Sequence, residues 1–112
     1  MKLQFEQDKI AKDYKTGKNF TYSAFFVQLP NLKVWFKVKG TARDYLLSAI
    51  ESKSDLQLFV KKESAEKEDG TTFEYDQLYT IVHDKTLGDL EVPLKAADSF
   101  ARNLIVAAIN KQ

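Results

Sequence analysis

Between Asn19 and Lys39 the order of apolar and polar residues reads as two strands joined by a tight turn. Leu32, Val34, Phe36 and Val38 fall on one face of the second strand, and Lys33, Trp35, Lys37 and Lys39 on the other. Pro30 and Asn31 suit the two central positions of a turn, which pairs Leu29 with Leu32. That register sets Phe26 opposite Trp35, Phe25 opposite Phe36 and Tyr22 opposite Lys39. One face then holds Phe25, Val27, Leu29, Leu32, Val34, Phe36 and Val38 and is a core face. The other holds Tyr22, Phe26, Lys33, Trp35, Lys37 and Lys39, a solvated face that carries aromatic rings.

The same patterning predicts the remaining elements. A first strand begins at Lys2–Phe5, and its alternation weakens toward Ile10 and Asp13. Tyr14–Asn19 is a turn in which Gly17 supplies a positive φ. Gly40 ends the third strand, and Thr41, with Asp44 three residues on, is placed to cap a helix over Ala42–Ser52. Asp55–Glu63 alternates as a strand, Ser64–Gly70 is a charged loop, and Thr71–His83 is a strand rich in aromatic and β-branched residues. Asp84–Val92 reads as irregular. Pro93 stands at a favourable start for a last helix, from about Leu94 to Asn110. That helix is apolar nearly all round, through Phe100, Leu104, Ile105, Val106 and Ile109, and so needs two partners: its own sheet and a second subunit. No internal repeat, low-complexity tract or linker is evident.

Composition narrows the function classes. The chain has 112 residues, enough for one domain with a core of its own. There is no cysteine, which removes disulfides and thiolate metal sites and fits a reducing, cytoplasmic setting. The first residues, Met-Lys-Leu-Gln-Phe-Glu, lack the apolar core of a signal peptide, and no apolar run approaches a membrane span. A soluble intracellular protein is expected. The formal net charge is +1, but it is unevenly spread. From Lys9 to Arg43 there are eight basic residues and one acid, and from Asp44 to the end thirteen acids against eight bases. A basic binding surface on a neutral body is one reading, and uneven scatter of surface lysines the other.

Chemistry of the catalytic kind is sparse. His83 is the single histidine, too little for a dyad or a histidine-rich metal site, and reads as a strand-end surface residue. Gly17-Lys18-Asn19 lacks the earlier glycine and the hydroxyl residue of a phosphate loop. Glu66–Asp69 is a solvated charge run. No enzyme, metal or cofactor is expected.

What remains is the aromatic and basic face, with Lys15 and Lys18 in the neighbouring turn. Rings that stack bases and ammonium groups that follow phosphates are what single-stranded nucleic acid requires. Phe59 and Lys61 repeat the aromatic-then-lysine pattern on another strand and join the candidate set. Tyr75 and Tyr79 share a face with Phe73 and Gln77, where tyrosines are more often half-buried packing residues. The bland alternative for Trp35 and Phe26 is burial under the C-terminal helix or another subunit. Lys33 and Lys37, bracketing Trp35, are awkward for such a dry contact.

The order strand–strand–strand–helix–strand–strand with a final helix is that of the OB-fold, a five-stranded Greek-key barrel with its helix between strands three and four. With its ligand face on strands two and three, the chain resembles the OB-fold single-stranded DNA-binding proteins, and most the small ones carried by lactococcal phages. The resemblance implies a single mainly β domain with α (α+β) over residues 1–112, acting in DNA replication or recombination. It implies stacking and phosphate roles for Tyr22, Phe26, Trp35, Lys33, Lys37 and Lys39, and a homo-oligomer, tetramer or dimer. The chain departs from well-known bacterial relatives in ending on an apolar helix and not on an acidic recruiting tail. A protein-interaction module or inhibitor using the same face, and an RNA-binding OB module, stay open as alternatives.

Overall fold

The computed structural model describes residues 1–96 and 98–111. Its elements are β1 (Gln4–Lys12), β2 (Asn19–Leu29), β3 (Leu32–Val38), α1 (Gly40–Glu51), β4 (Leu58–Glu66), β5 (Thr72–Asp84), β6 (Gly88–Leu94) and α2 (Ser99–Asn110). The fold is α+β, mainly β. The strands form two antiparallel sheets of three, ordered β1-β2-β3 and β4-β5-β6, and not a closed barrel.

The central hairpin has the expected register. Leu29 pairs with Leu32, Phe26 with Trp35 and Phe25 with Phe36. The ladder stops at Ser23↔Val38, so Lys39 lies just beyond it. The core face is buried as expected except at Leu32, which is 42% exposed beside the β2–β3 turn. Gly17 has φ 72, the left-handed conformation anticipated for the β1–β2 turn.

Several expectations give way. The segment read as irregular is strand β6: Leu90, Val92 and Leu94 point inward, and Asp89, Glu91 and Pro93 outward. Pro93 suits an edge strand, since its missing N–H removes no ladder bond on the open side. The last helix therefore starts at Ser99, where the Asp98 carboxylate accepts a hydrogen bond from the Ala101 N–H at 2.7 Å. Thr41 does not cap α1. The turn out of β3 places Lys39 at the cap position without a side-chain hydrogen bond, and Gly40, at φ 68, is the first helical residue. The loop after β4 is shorter than Ser64–Gly70, because pairing continues to Glu66↔Thr72.

The six strands and two helices form a repeat that the sequence reading does not find: β1-β2-β3-α1, then β4-β5-β6-α2. Counting back from the closing pair of each second hairpin, Leu29↔Leu32 and Asp84↔Gly88, sets buried Val27, Phe25 and Ser23 against Val82, Thr80 and Leu78. The helices align as Ala42-Arg43-Asp44-Tyr45-Leu46-Leu47-Ser48-Ala49-Ile50 with Ala101-Arg102-Asn103-Leu104-Ile105-Val106-Ala107-Ala108-Ile109. Leu46 and Ile105, at matching positions, are both fully buried.

The halves meet along short antiparallel contacts. The Leu3 N–H donates to the Leu56 carbonyl at 2.7 Å, and the Leu58 N–H to the Met1 carbonyl at 2.9 Å. Phe36 bridges to Ala96 on the opposite side. One core draws on both sheets and both helices, including Phe25, Phe36, Leu46, Leu56, Leu78 and Ile105. In α2 only Ile105 is fully buried; Leu104, Val106 and Ile109 are half-buried and Phe100 is 71% exposed.

Replacing Ile105 with Ala removes a fully buried side chain against two layers and should lower unfolding free energy by about 2–5 kcal/mol. Leu104→Ala should cost clearly less. Urea denaturation of both variants measures the difference, and equal losses would contradict this description of α2.

Candidate nucleic-acid interface

An antiparallel sheet that packs one face against a core leaves the other to solvent. On the first sheet that outer face is built by three strands. From β2 come Phe20, Tyr22, Ala24 and Phe26, and from β3 come Lys33, Trp35 and Lys37, continued by Lys39. From β1 comes Lys9, paired with Tyr22.

The rings and ammonium groups interleave. Phe26 and Trp35 are tilted neighbours with centroids 5.3 Å apart, and Phe20 and Tyr22 lie at 6.2 Å. Lys33 Nζ is 4.7 Å from the Phe26 centroid and 5.8 Å from that of Trp35. Lys37 lies 5.5 Å over Tyr22, Lys39 5.2 Å over Phe20 and Lys9 5.8 Å over Trp35. Trp35 is 37% exposed, whereas Ala24, the small residue midway along β2, is covered by its neighbours at 4%. Among the described residues none of these four lysines is within ion-pairing distance of a carboxylate. Their positive charge is thus available to an anionic partner. An open groove of about 220 Å³ lies along Phe20, Tyr22, Lys37 and Lys39.

Tyr22, Phe26, Lys33, Trp35, Lys37 and Lys39 are therefore together, as the sequence reading places them. Lys15 and Lys18 are exposed in the turn that closes the β1–β2 hairpin, at the far end of the same hairpin. Phe59 and Lys61 are not part of this face. They lie on the outer face of the second sheet, where Phe59 pairs with Tyr79 across strands. Lys61 is held by Glu91 at 2.5 Å and Glu63 at 3.2 Å, and these carboxylates, Glu91 foremost, raise its pKa. It is a neutralised cation.

Lys9, Phe20 and Lys95 escape the sequence reading. A bulge between Phe5 and Gln7 shifts the alternation of β1, so that Asp8 turns inward beside Ser23 and Lys9 outward. The period-2 signal of that strand is erased at the point that matters. Phe20 sits two positions before Tyr22, and the alternation of β2 itself could have identified it. Lys95 reaches the face only because residues after β6 run beside β3. With Trp35, Lys37 and Ala96 it lines an open groove of about 370 Å³.

The other side of β1 anchors the face. The Asp8 carboxylate accepts from the Ser23 hydroxyl at 2.6 Å and from the Arg43 guanidinium of α1 at 3.0 Å. The Ser23 hydrogen bond first, and Arg43 with it, hold the Asp8 pKa below the ordinary carboxylate value. His83 is exposed at the end of β5 beside Asp89, and among the described residues no cluster of three acidic, cysteine or histidine side chains is set to hold a metal. No described helix is long and apolar enough to cross a membrane.

Compared with family models, with curated proteins and with solved structures, the chain matches none of them.

Because the folded pKa of Asp8 is depressed, its contribution to stability is present above the ordinary carboxylate value and is lost as pH falls through the folded value. Asp8→Asn should flatten that part of the acid limb of a stability–pH curve. An acid limb identical to the parent's would show that the Asp8–Ser23–Arg43 contacts do not hold β1 in solution.

Proposed function

We propose that this protein binds single-stranded DNA with little sequence preference, coating exposed strands during replication or recombination. The observation that carries this reading is the outer face of the first sheet, where four lysines lie over aromatic rings with no carboxylate to neutralise them among the described residues. Bases stack on Trp35 and Phe26 and on Tyr22 and Phe20, at ~1–3 kcal/mol for each good stack. Lys9, Lys33, Lys37 and Lys39 follow the phosphates and release counterions. A duplex buries its base faces and cannot use the rings, so the face favours unpaired strands. No catalytic role is assigned.

The resemblance to OB-fold single-stranded DNA-binding proteins enters through this face chemistry, since the described strands number six in two sheets. The place of action is the cytoplasm, that of the host cell if the protein is phage-encoded. Exposed Phe100 and half-buried Leu104, Val106 and Ile109 of α2 support self-association, which would line up several binding faces along one strand. An RNA-binding role uses the same rings and cations, and competition between DNA and RNA oligomers of equal sequence separates the two.

Titration with oligo(dT) should quench Trp35 emission, and duplex of the same length should change it little. An unchanged spectrum at saturating oligonucleotide removes Trp35 from the site. Changing Lys33, Lys37 and Lys39 together to Ala should lower the log–log salt slope by roughly 0.7 for each phosphate left without its lysine. A slope equal to the parent's would make these lysines solvated bystanders, and salt-insensitive partner binding would favour a protein-interaction module.

A further inference from the structure

The two halves share one backbone plan but not one electrostatic character. Counting from the closing pairs of the hairpins, the β3 row Lys33, Trp35 and Lys37 corresponds to Asp89, Glu91 and Pro93 of β6. The second sheet has no such cationic row. One position escapes this reversal. Lys39, one residue after β3, corresponds to Lys95, one residue after β6, and Phe20 corresponds to Tyr75.

In the first half Lys39 and Phe20 line the groove beside Tyr22. In the second half Lys95 and Tyr75 line a larger cleft of about 520 Å³, with Gln77 in the place of Tyr22. Arg102 of α2 forms its far wall. Its counterpart Arg43 is committed to Asp8 at 3.0 Å. Arg102 has no carboxylate within ion-pairing distance among the described residues; its Nε, like that of Arg43, is buried without a hydrogen-bond partner. Of the two carboxylates that also line the cleft, Asp76 is paired with Lys62 at 2.7 Å, whereas Asp98 accepts from the Ala101 N–H at 2.7 Å and keeps its charge. Two cations, one carboxylate and a tyrosine ring thus line an open space, with a net positive charge.

This cleft borders the first face. The groove beside Trp35 and Lys37 is bounded by Lys95 and Ala96, and both residues also line the cleft. We propose that the cleft formed by Tyr75, Gln77, Lys95 and Arg102 is a second nucleotide subsite, which receives the strand after it passes Trp35. The proposal rests on the reading of the first face as a single-stranded DNA site. Lys95 and Arg102 contact phosphates, Tyr75 stacks one base, and the Gln77 amide oxygen accepts a hydrogen bond from a base edge, its Nε2 being held by the Leu78 and Leu94 carbonyls. The strand runs from one half of the repeat to the other, and the acidic outer row of β6 keeps it from spreading over the rest of the second sheet.

The test uses the full chain and two probes, oligo(dT) of about 5 and of about 20 nucleotides, chosen to cover one face or both. Trp35 emission reports binding of each. The variant Arg102→Gln, at the cleft cation that does not border the first face, should bind the long probe roughly fivefold more weakly, with its salt slope reduced by about 0.7 for one phosphate no longer neutralised. Its affinity for the short probe should equal the parent's. Tyr75→Ala should likewise weaken the long probe and leave the short one unchanged, and thermal melting shows whether the Arg102 substitution leaves the fold intact; if it does not, Tyr75→Ala carries the test. Unchanged affinity and slope for the long probe would overturn the second subsite while leaving the first face standing. Equal weakening of both probes by Arg102→Gln would overturn it too, by assigning that cation to the first face. A parent protein that binds neither probe would overturn the reading of the first face and this one with it.

Discussion

Neither three-stranded sheet can bury its apolar face alone, and the structure follows from that constraint. A sheet of three short strands with one dry face needs a second layer. Here each sheet, with its helix, supplies the layer for the other, and the core residues of both halves merge into one cluster. Once Phe25, Val27, Phe36 and Val38 are committed to that shared interior, the period of the strand sends Phe26, Trp35 and the lysines outward. The cationic aromatic face is thus a geometric consequence of the core, and its rings stay half-exposed because no third layer among the described residues covers them.

The two halves show what a backbone plan does and does not determine. Equivalent positions share burial: Val27 with Val82, Leu46 with Ile105. Outward positions are free of that requirement and differ, lysines and tryptophan on β3 against aspartate, glutamate and proline on β6. The same contrast separates Lys61, fixed between two glutamates, from Lys33, which lies over two rings. A lysine beside an aromatic in sequence says little until the opposing strand is known.

The same contrast explains where the sequence is legible and where it is not. The β2–β3 hairpin can be read because β3 alternates without interruption and a two-residue Pro-Asn turn leaves one register for β2. The bulge at β1 hides Lys9 by breaking the period within a single strand. Strand β6 is hidden by Pro93, whose preference for a helix start competes with the inward alternation of Leu90, Val92 and Leu94. Without β6 the second half does not look like the first, and the shared Ala-Arg at the start of each helix carries no meaning. The separation of Phe59 and Lys61 from the main face is not legible at all, since it depends on which sheet a strand joins.

The seam between the halves has a mechanical consequence. Within each sheet, long ladders of hydrogen bonds tie strand to strand, broken in the first by the β1 bulge, but between the sheets the described backbone contacts are short, at Leu3–Leu56 and Phe36–Ala96. Side-chain packing resists sliding less stiffly than a ladder does. The molecule therefore has a compliant plane between two stiff plates, and Trp35 and Lys95 stand on opposite sides of it. Load applied across that plane would be taken up first by shear of the seam, well before either sheet begins to unravel.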